Sequence, residues 1–271
     1  MSATTRARLL EVVRRPSGDL AEAALLCGAE ADPGLDVAGT LLRVDALTDL
    51  VRTRGNVRSE PEAVAEALRA VLAGDLGFSG RNDHDPDNAL LHRLLDTRRG
   101  LPVTLSALYA SVARRLGVGA WCVHLPGHVL TGLAAPDRPI LLDPFHGGAR
   151  LGEADVADLV TRATGDARRF HRALLRPAPA VEVVRRLLNN LTRDYLVADR
   201  LNDALWTLEL KLLLPNRRDE DHRHLGDLLR RTGRFDRAAR AYEAFLATGH
   251  GAAEDREAVR RAAVDARARM N

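Results

Sequence analysis

The sequence predicts an α+β fold in which a small antiparallel sheet lies inside a chain that is otherwise helical. Apolar residues recur at helical spacing over positions 1–75 and again from residue 180 onward. Between these regions, residues 120–133 and 139–143 have the composition and partial alternation of strands, and turn-forming residues 134–138 separate them. The sheet is therefore expected in the centre of the chain, with helices on both sides.

The composition is that of a globular chain without a membrane segment. The 271 residues are 46% hydrophobic and 28% charged. No apolar run in the sequence approaches the length of a membrane-spanning helix, which needs roughly 20 residues. The N-terminus lacks the apolar core of a signal peptide. Cys27 and Cys122 form neither a disulfide framework nor a zinc-type spacing. We therefore expect a cytoplasmic protein that does not bind a membrane.

The charge pattern gives little support for nucleic-acid binding. Forty basic residues are interleaved with thirty-seven acidic ones, and the net charge is +3. The local arginine groups, such as those between residues 168 and 176, are typical of solvated helix faces. No zinc-finger or RNP-type motif is present in the sequence. We therefore expect no nucleic-acid partner.

A helical lead-in is predicted before the sheet. Helical segments are expected at 5–28, with a break near Pro16 and a cap at Asp19, then at 35–54 and 59–73. Ser59 and Glu62 have the spacing of a capping box, and Pro61 suits the first turn. We expect this lead-in to cover one face of the segment that follows.

Two further helices are predicted after a turn-rich loop at residues 74–87. The first spans residues 88–97, and Gly100 is expected to take a positive φ as its C-terminal cap. Pro102 suits the first turn of the second helix, residues 102–116. That helix is apolar on most sides, which indicates a buried central position.

The strands carry the residues that suggest chemistry. His128 lies on the first strand and Asp143 ends the second, and the spacing between these two positions fits a hairpin that places them side by side. A helix followed by a histidine strand and an aspartate strand resembles the layout of a papain-like core, in which a thiol begins the helix. No cysteine stands at the start of this helix.

An internal repeat marks the C-terminal region. At one constant shift, Leu201 aligns with Phe235, Ala204 with Ala238, Leu208 with Tyr242 and Leu212 with Leu246. The shift equals the tetratricopeptide period of roughly 34 residues, and small alanines stand where helices of such repeats cross. Pro177 and Pro179 indicate a linker before the repeats. We predict two domains, residues 1–176 with a core at about 76–165 and residues 180–271.

Several motifs extend the interpretation through a family resemblance. DPDNALLHRLLDTRRGLPVTLSALY, ARRLGV, LPGHVL and LLDPFHGG resemble the bacterial SirB-type transglutaminase-like family, which joins a transglutaminase-like core to a C-terminal tetratricopeptide segment. The resemblance implies that His128 and Asp143 match the His and Asp of the transglutaminase triad. It places the nucleophile position near Val103 or Thr104, where this family commonly has residues other than cysteine.

Two functional hypotheses follow. The first is a catalytically degenerate protein, a pseudoenzyme that binds a protein or peptide through its cleft and its repeat helices. The second is an active hydrolase or acyl-transferase in which Thr104, Ser106 or Cys122 replaces the missing thiol. In both cases the residues expected to line the cleft are Asn88, Arg99, Gly100, Pro102, Gly127 and His146.

Metal and cofactor sites are weakly indicated. His128, His146 and Asp143 have suitable ligand types, but the sequence offers no fourth ligand at a supporting spacing. His84 lies among three aspartates in the 74–87 loop, which is the composition of a solvated turn. From the sequence alone we therefore expect no metal and no cofactor.

Overall fold

The computed structural model describes residues 3–16, 18–54 and 60–270, and it confirms the α+β fold. Its compact units are Met1–Leu187 and Leu188–Asn271, whereas the predicted boundary lies at 176–180 and stays a prediction. The helices are α1 (Ala3–Arg14), α2 (Leu20–Ala31), α3 (Val37–Arg54), α4 (Pro61–Ala67), α5 (Leu91–Thr97), α6 (Pro102–Arg115), α7 (Glu153–Thr164), α8 (Ala180–Val197), α9 (Leu201–Leu213), α10 (Asp219–Arg231), α11 (Phe235–Ala247) and α12 (Ala253–Ala268). The strands are β1 (Ser79–Gly80), β2 (Arg99–Gly100), β3 (Ala120–Leu125), β4 (His128–Leu133), β5 (Ile140–Asp143) and β6 (Ala149–Leu151).

The lead-in is helical, as predicted. The carboxylate of Asp19 accepts hydrogen bonds from the N–H groups of Ala21 and Glu22, so it caps α2. The Ala21 N–H also donates to the hydroxyl of Ser111 on α6 at 3.0 Å, so the lead-in packs on the core. The predicted cap at Ser59 lies outside the described residues. Helix α4 continues into a π-helical segment, Leu68–Asp75, that the sequence pattern did not indicate.

Helix α5 ends differently from the prediction. Arg98, with φ of 61°, takes the left-handed position that was expected for Gly100. Gly100 instead pairs with Gly80 in the short parallel pair β1–β2. A Cβ at residue 100 would lie 3.0 Å from Leu94 Cδ1 and 3.3 Å from the carbonyl of Asn88. A side chain at this position would crowd both groups, so glycine favours close packing here rather than a positive φ.

The sheet positions the candidate site. Its order is β3-β4-β5-β6, with antiparallel neighbours throughout, and β6 was not predicted. One face contacts α6, where the hydroxyl of Thr131 donates to the carbonyl of Ser106 at 3.3 Å. The other face packs against α7 through a cluster formed by Val123, Leu125, Leu130, Leu141, Val156 and Val160. The sheet is therefore buried on both sides, which explains its incomplete alternation in the sequence.

The segment after α7 is irregular. Two short 3₁₀ turns follow, at Ala167–Arg169 and Arg172–Leu175. The predicted linker lies against the sheet, because the Ala178 N–H donates to the carbonyl of Cys122 at 2.9 Å. The first turns of α8 belong to the first compact unit.

The second unit has a helical period that agrees with the repeat found in the sequence. Helices α9 and α11 begin at residues 201 and 235, and α10 and α12 begin at residues 219 and 253. The two intervals are equal and match the shift of the sequence alignment. The aligned alanines are fully buried, and each aligned pair of residues shares one burial class. Tyr242 fills the space beside Gly226 and donates to Asp227 at 2.9 Å. The assignment to tetratricopeptide repeats stays a prediction.

Among the described residues, no helix combines the length and the apolarity required to cross a bilayer.

Candidate functional site

His128 and Asp143 meet at one end of the sheet. The β3–β4 turn places Gly127 at φ of 70° immediately before the histidine. The Nε2 atom of His128 lies 2.9 Å from Oδ2 of Asp143, and the carboxylate side chain is 3% exposed. The structure therefore brings together the two residues that the sequence paired across a hairpin.

His146 joins the pair from the 3₁₀ turn Pro144–His146. Its Nδ1 atom lies 2.8 Å from the same oxygen, Oδ2 of Asp143. The other oxygen, Oδ1, accepts the backbone N–H groups of Phe145 and His146 at 3.1 and 3.3 Å. The carboxylate is thus fixed by two backbone donors and two imidazoles.

Opposing effects set the charge of this carboxylate. Burial alone would raise the pKa of Asp143, but the hydrogen bonds from His128 and His146 outweigh burial and the pKa lies below its usual value. The group is therefore ionised at neutral pH and provides a buried negative charge against which both imidazoles are oriented.

Phe145 separates the cluster from the β1–β2 pair that leads into α6. Its ring lies edge-on to the His128 ring at 5.8 Å between centroids. A Cβ at Gly80 would lie 2.4 Å from this ring, so glycine is required for the ring to fit. The aromatic side chain gives the cluster one apolar wall.

A cleft of about 300 Å³ opens beside the cluster on the α7 side of the sheet. Its lining comes from β5, the following turn, β6 and α7, namely Asp143, His146, Ala149, Leu151, Asp155, Asp158, Leu159 and Arg162. Three carboxylates and one guanidinium are among these lining groups. Sequence reasoning missed Asp155 and Asp158, because acidic residues on an exposed helix have the pattern of any solvated face.

The candidate nucleophiles are buried and engaged elsewhere. The Thr104 hydroxyl donates to the carbonyl of Asn88 at 3.2 Å, and the Ser106 hydroxyl donates to the carbonyl of Val129 at 3.1 Å. Cys122 pairs with Thr131, whereas His128 pairs with Leu125, so the cysteine and the histidine lie at different levels of the hairpin. Alternation along the strands directs their side chains to opposite faces. Burial raises the pKa of the Cys122 thiol to about 12.

Most of the other predicted cleft residues shape the backbone around the site. The carbonyl of Asn88 accepts the Leu101 N–H at 2.9 Å, and Pro102 starts α6. The Arg99 guanidinium donates to the hydroxyl of Ser79 on β1. Gly127 approaches α7, since a Cβ there would lie 3.3 Å from that of Ala163. Of the predicted set, His146 is the residue that lines the cleft.

Comparison with known families agrees with this core. A model described as "Transglutaminase-like superfamily" matches residues 39–189, which include α6, the sheet and the His128–Asp143 pair. The chain therefore belongs to the transglutaminase-like superfamily.

Relatives extend the similarity over most of the chain. A UPF0162 protein of Xylella fastidiosa (strain Temecula1) is 32% identical over 203 residues, which cover 73% of this chain and 72% of the relative. The UPF0162 protein PA3419 of Pseudomonas aeruginosa is 31% identical over 213 residues, or 76% and 77% of the two chains. F-box only protein 21 of Mus musculus is 43% identical over 85 residues, 30% of this chain and 13% of that protein. No solved structure matches the chain.

Proposed function

We propose that this chain is a catalytically degenerate transglutaminase-like protein that binds a protein or peptide segment. The observation that supports this most is the start of α6, which opens with Leu101, Pro102 and Val103 where the superfamily layout requires a nucleophile. Thr104, next in the turn, is fully buried and its hydroxyl is engaged by Asn88. A base without a reactive partner atom cannot support covalent acyl transfer.

The other candidate nucleophiles are no better placed. A hydroxyl nucleophile must present its oxygen to the base and to a substrate. Ser106 is fully buried against the backbone of β4. Cys122 is also fully buried, and its raised pKa keeps the thiol protonated at neutral pH. These contacts favour structural roles for all three side chains.

The cleft suggests the chemistry of the bound segment. Asp155 and Asp158 lie on α7 beside the cluster, and Arg162 is the guanidinium among the lining residues. An excess of carboxylates attracts lysine or arginine side chains and raises the rate of encounter with them. The proposed partner is therefore a segment with basic residues that lies along the cleft.

Peptide display with random sequences tests this binding role. The full-length protein should enrich basic peptides, and Asp158→Asn should reduce that enrichment several-fold because one cleft carboxylate is lost. Glu153→Gln is the matched control, since it makes the same charge change on α7 and Glu153 does not line the cleft. Equal enrichment by Asp158→Asn and by the unmodified protein would contradict the proposed cleft.

A turnover assay separates this proposal from the hydrolase or acyl-transferase alternative. We expect no amide or ester cleavage by the purified protein, and no labelling of Thr104, Ser106 or Cys122 by an electrophilic probe under native conditions. Turnover that disappears in His128→Ala, together with labelling of one of those three residues, would replace the binding proposal with the catalytic one.

We also assign a binding role to the helical unit. Repeated helix pairs commonly form extended binding surfaces. In the second unit a depression of about 410 Å³ is lined in part by Arg234, Arg237 and Arg269, which suits acidic residues. The same peptide display should also enrich acidic peptides, and an Arg234→Glu variant should lose them. An unchanged selection in this variant would exclude the depression as the binding site for acidic peptides.

A further inference from the structure

We propose that His128, Asp143 and His146 form a site for a divalent transition metal such as Zn²⁺. Each residue offers one donor atom, and the three atoms lie within 4.8 Å of one another. Imidazole nitrogen and carboxylate oxygen are established ligands for zinc and cobalt. Within the described ranges, this is the one group of three or more such side chains that converges closely enough to share an ion.

Two of the three separations require a small expansion, and the third requires a contraction. Bonds of about 2.0–2.2 Å in a tetrahedral site separate neighbouring ligand atoms by about 3.4 Å. The Asp143 Oδ2 atom lies 2.9 Å from His128 Nε2 and 2.8 Å from His146 Nδ1. An ion would replace the hydrogen-bonded protons between these atoms and increase both separations by about half an ångström. The separation between the two imidazole nitrogens, up to 4.8 Å, would have to shorten toward about 3.4 Å. His146 has room to make these movements because its side chain is 61% exposed.

The carboxylate is already oriented by contacts that do not compete with the ion. Its Oδ1 atom accepts two backbone N–H groups, from Phe145 and His146, which leaves Oδ2 directed at both imidazoles. Outer contacts of this kind fix ligand geometry and strengthen metal binding. The Phe145 ring beside His128 further restricts the movement of that imidazole.

The surroundings favour a cation with an accessible coordination position. Asp155 and Asp158 line the adjoining cleft, and although Arg162 offsets one of these charges, the carboxylates outnumber it and draw cations toward the cluster. Three protein ligands leave a fourth position for water or an oxygen donor, as in zinc sites of the open type. The inference goes beyond the proposed binding function and does not depend on it.

A second histidine–aspartate contact provides the control. His250 Nδ1 contacts Asp219 Oδ2 in the helical unit, where the histidine side chain is 77% exposed. This contact supplies two possible ligands without belonging to a group of three. The two sites therefore both contain an exposed histidine next to a carboxylate. They differ because only the proposed site has a third ligand and a buried carboxylate.

Metal titration of the full-length protein tests the site directly. Purification tags are removed, the protein is stripped with a chelator, and Zn²⁺ binding is measured by calorimetry and Co²⁺ binding by visible absorption. We expect one ion per chain, with affinity reduced at least about tenfold in His146→Asn and unchanged in His250→Ala. Because His146 is exposed, the His146→Asn variant should fold, and its circular dichroism is compared with that of the unmodified protein.

The outcomes are distinct. Absence of binding at millimolar Zn²⁺, or binding that persists in His146→Asn and disappears in His250→Ala, would overturn the proposed site. The titration contains no peptide, so it does not test the partner. Hydrolysis that depends on added Zn²⁺ would support the metal site and contradict the non-catalytic function. Peptide binding without metal binding would support the binding function and contradict the metal site.

Discussion

The two units each contain a contact between a histidine and an aspartate, and the contacts differ in burial. Asp143 is 3% exposed, whereas Asp219 is 32% exposed and its partner His250 is 77% exposed. Asp143 also accepts two backbone N–H groups, which fix its orientation. The comparison teaches that a histidine–aspartate distance alone does not define a site. Burial and additional donors determine whether the geometry is fixed or is one of many surface arrangements.

The largest expected effect is the loss of the buried carboxylate. Asp143→Ala leaves two backbone N–H groups and two imidazoles without their acceptor, and should lower the free energy of unfolding by about 2–4 kcal/mol. Asp219→Ala removes a partly exposed carboxylate and should cost less than about 1 kcal/mol. Urea denaturation of both variants measures the difference. Equal effects would mean that burial does not distinguish the two contacts.

Another histidine, His124, sharpens the comparison, because burial lowers its pKa. Burial, assisted by the charge of Arg186, lowers the pKa of His124 from 6.5 to about 4. Between these values the unfolded chain binds a proton that the folded chain excludes. Stability is therefore retained above pH 6.5 and lost as the pH falls toward 4, by up to about 3 kcal/mol.

Denaturation at pH 7 and pH 4.5 measures this effect, with His124→Gln as the variant that no longer titrates. The difference in stability between the two pH values should shrink in the variant. Some pH dependence should remain, because burial also lowers the pKa of His92. A variant with the full pH dependence of the unmodified protein would show that His124 is not the responsible group.

A smaller effect is expected at the start of α6. Thr104→Val removes the hydroxyl that donates to the carbonyl of Asn88 and should cost about 1 kcal/mol of stability. The proposed structural role predicts unchanged peptide binding in this variant. Loss of a measurable turnover without loss of stability would instead identify Thr104 as a nucleophile.

The smallest effect is expected at the exposed contact itself. His250→Ala should change the free energy of unfolding by no more than about 0.5 kcal/mol, because solvent screens the contact and holding both side chains in one geometry costs entropy. A thermal melt at low and high salt checks this value. A large loss at low salt would show that the exposed pair is more constrained than its accessibility indicates.

The sequence predicted the parts of the fold that depend on local signals. Pro102 begins α6 and Asp19 caps α2 as expected, since both act through neighbouring backbone groups. The parallel pair β1–β2 could not be predicted, because two-residue strands from distant segments leave no local pattern. Gly100 was assigned to a positive φ, but its role in the structure is close approach to Leu94 and to the backbone of Asn88.

The site was partly accessible from the sequence. The spacing of His128 and Asp143 predicted their contact, because a hairpin places such residues side by side. The contact of both His128 and His146 with one Asp143 oxygen was not predictable, because it depends on the turn that follows β5. The part that α7 plays in the cleft, through Asp155 and Asp158, could not be predicted because it depends on tertiary packing.

The regular spacing of the C-terminal helices has an evolutionary consequence. Because α10 starts at residue 219 and α12 at residue 253, a tandem copy of residues 219–252 would join at splice points equivalent to those already in the chain. Such a duplication would lengthen the array by one helix pair and leave the existing interfaces intact. Length variation among relatives is therefore expected to occur in steps of this block, in the part of the sequence that follows α8.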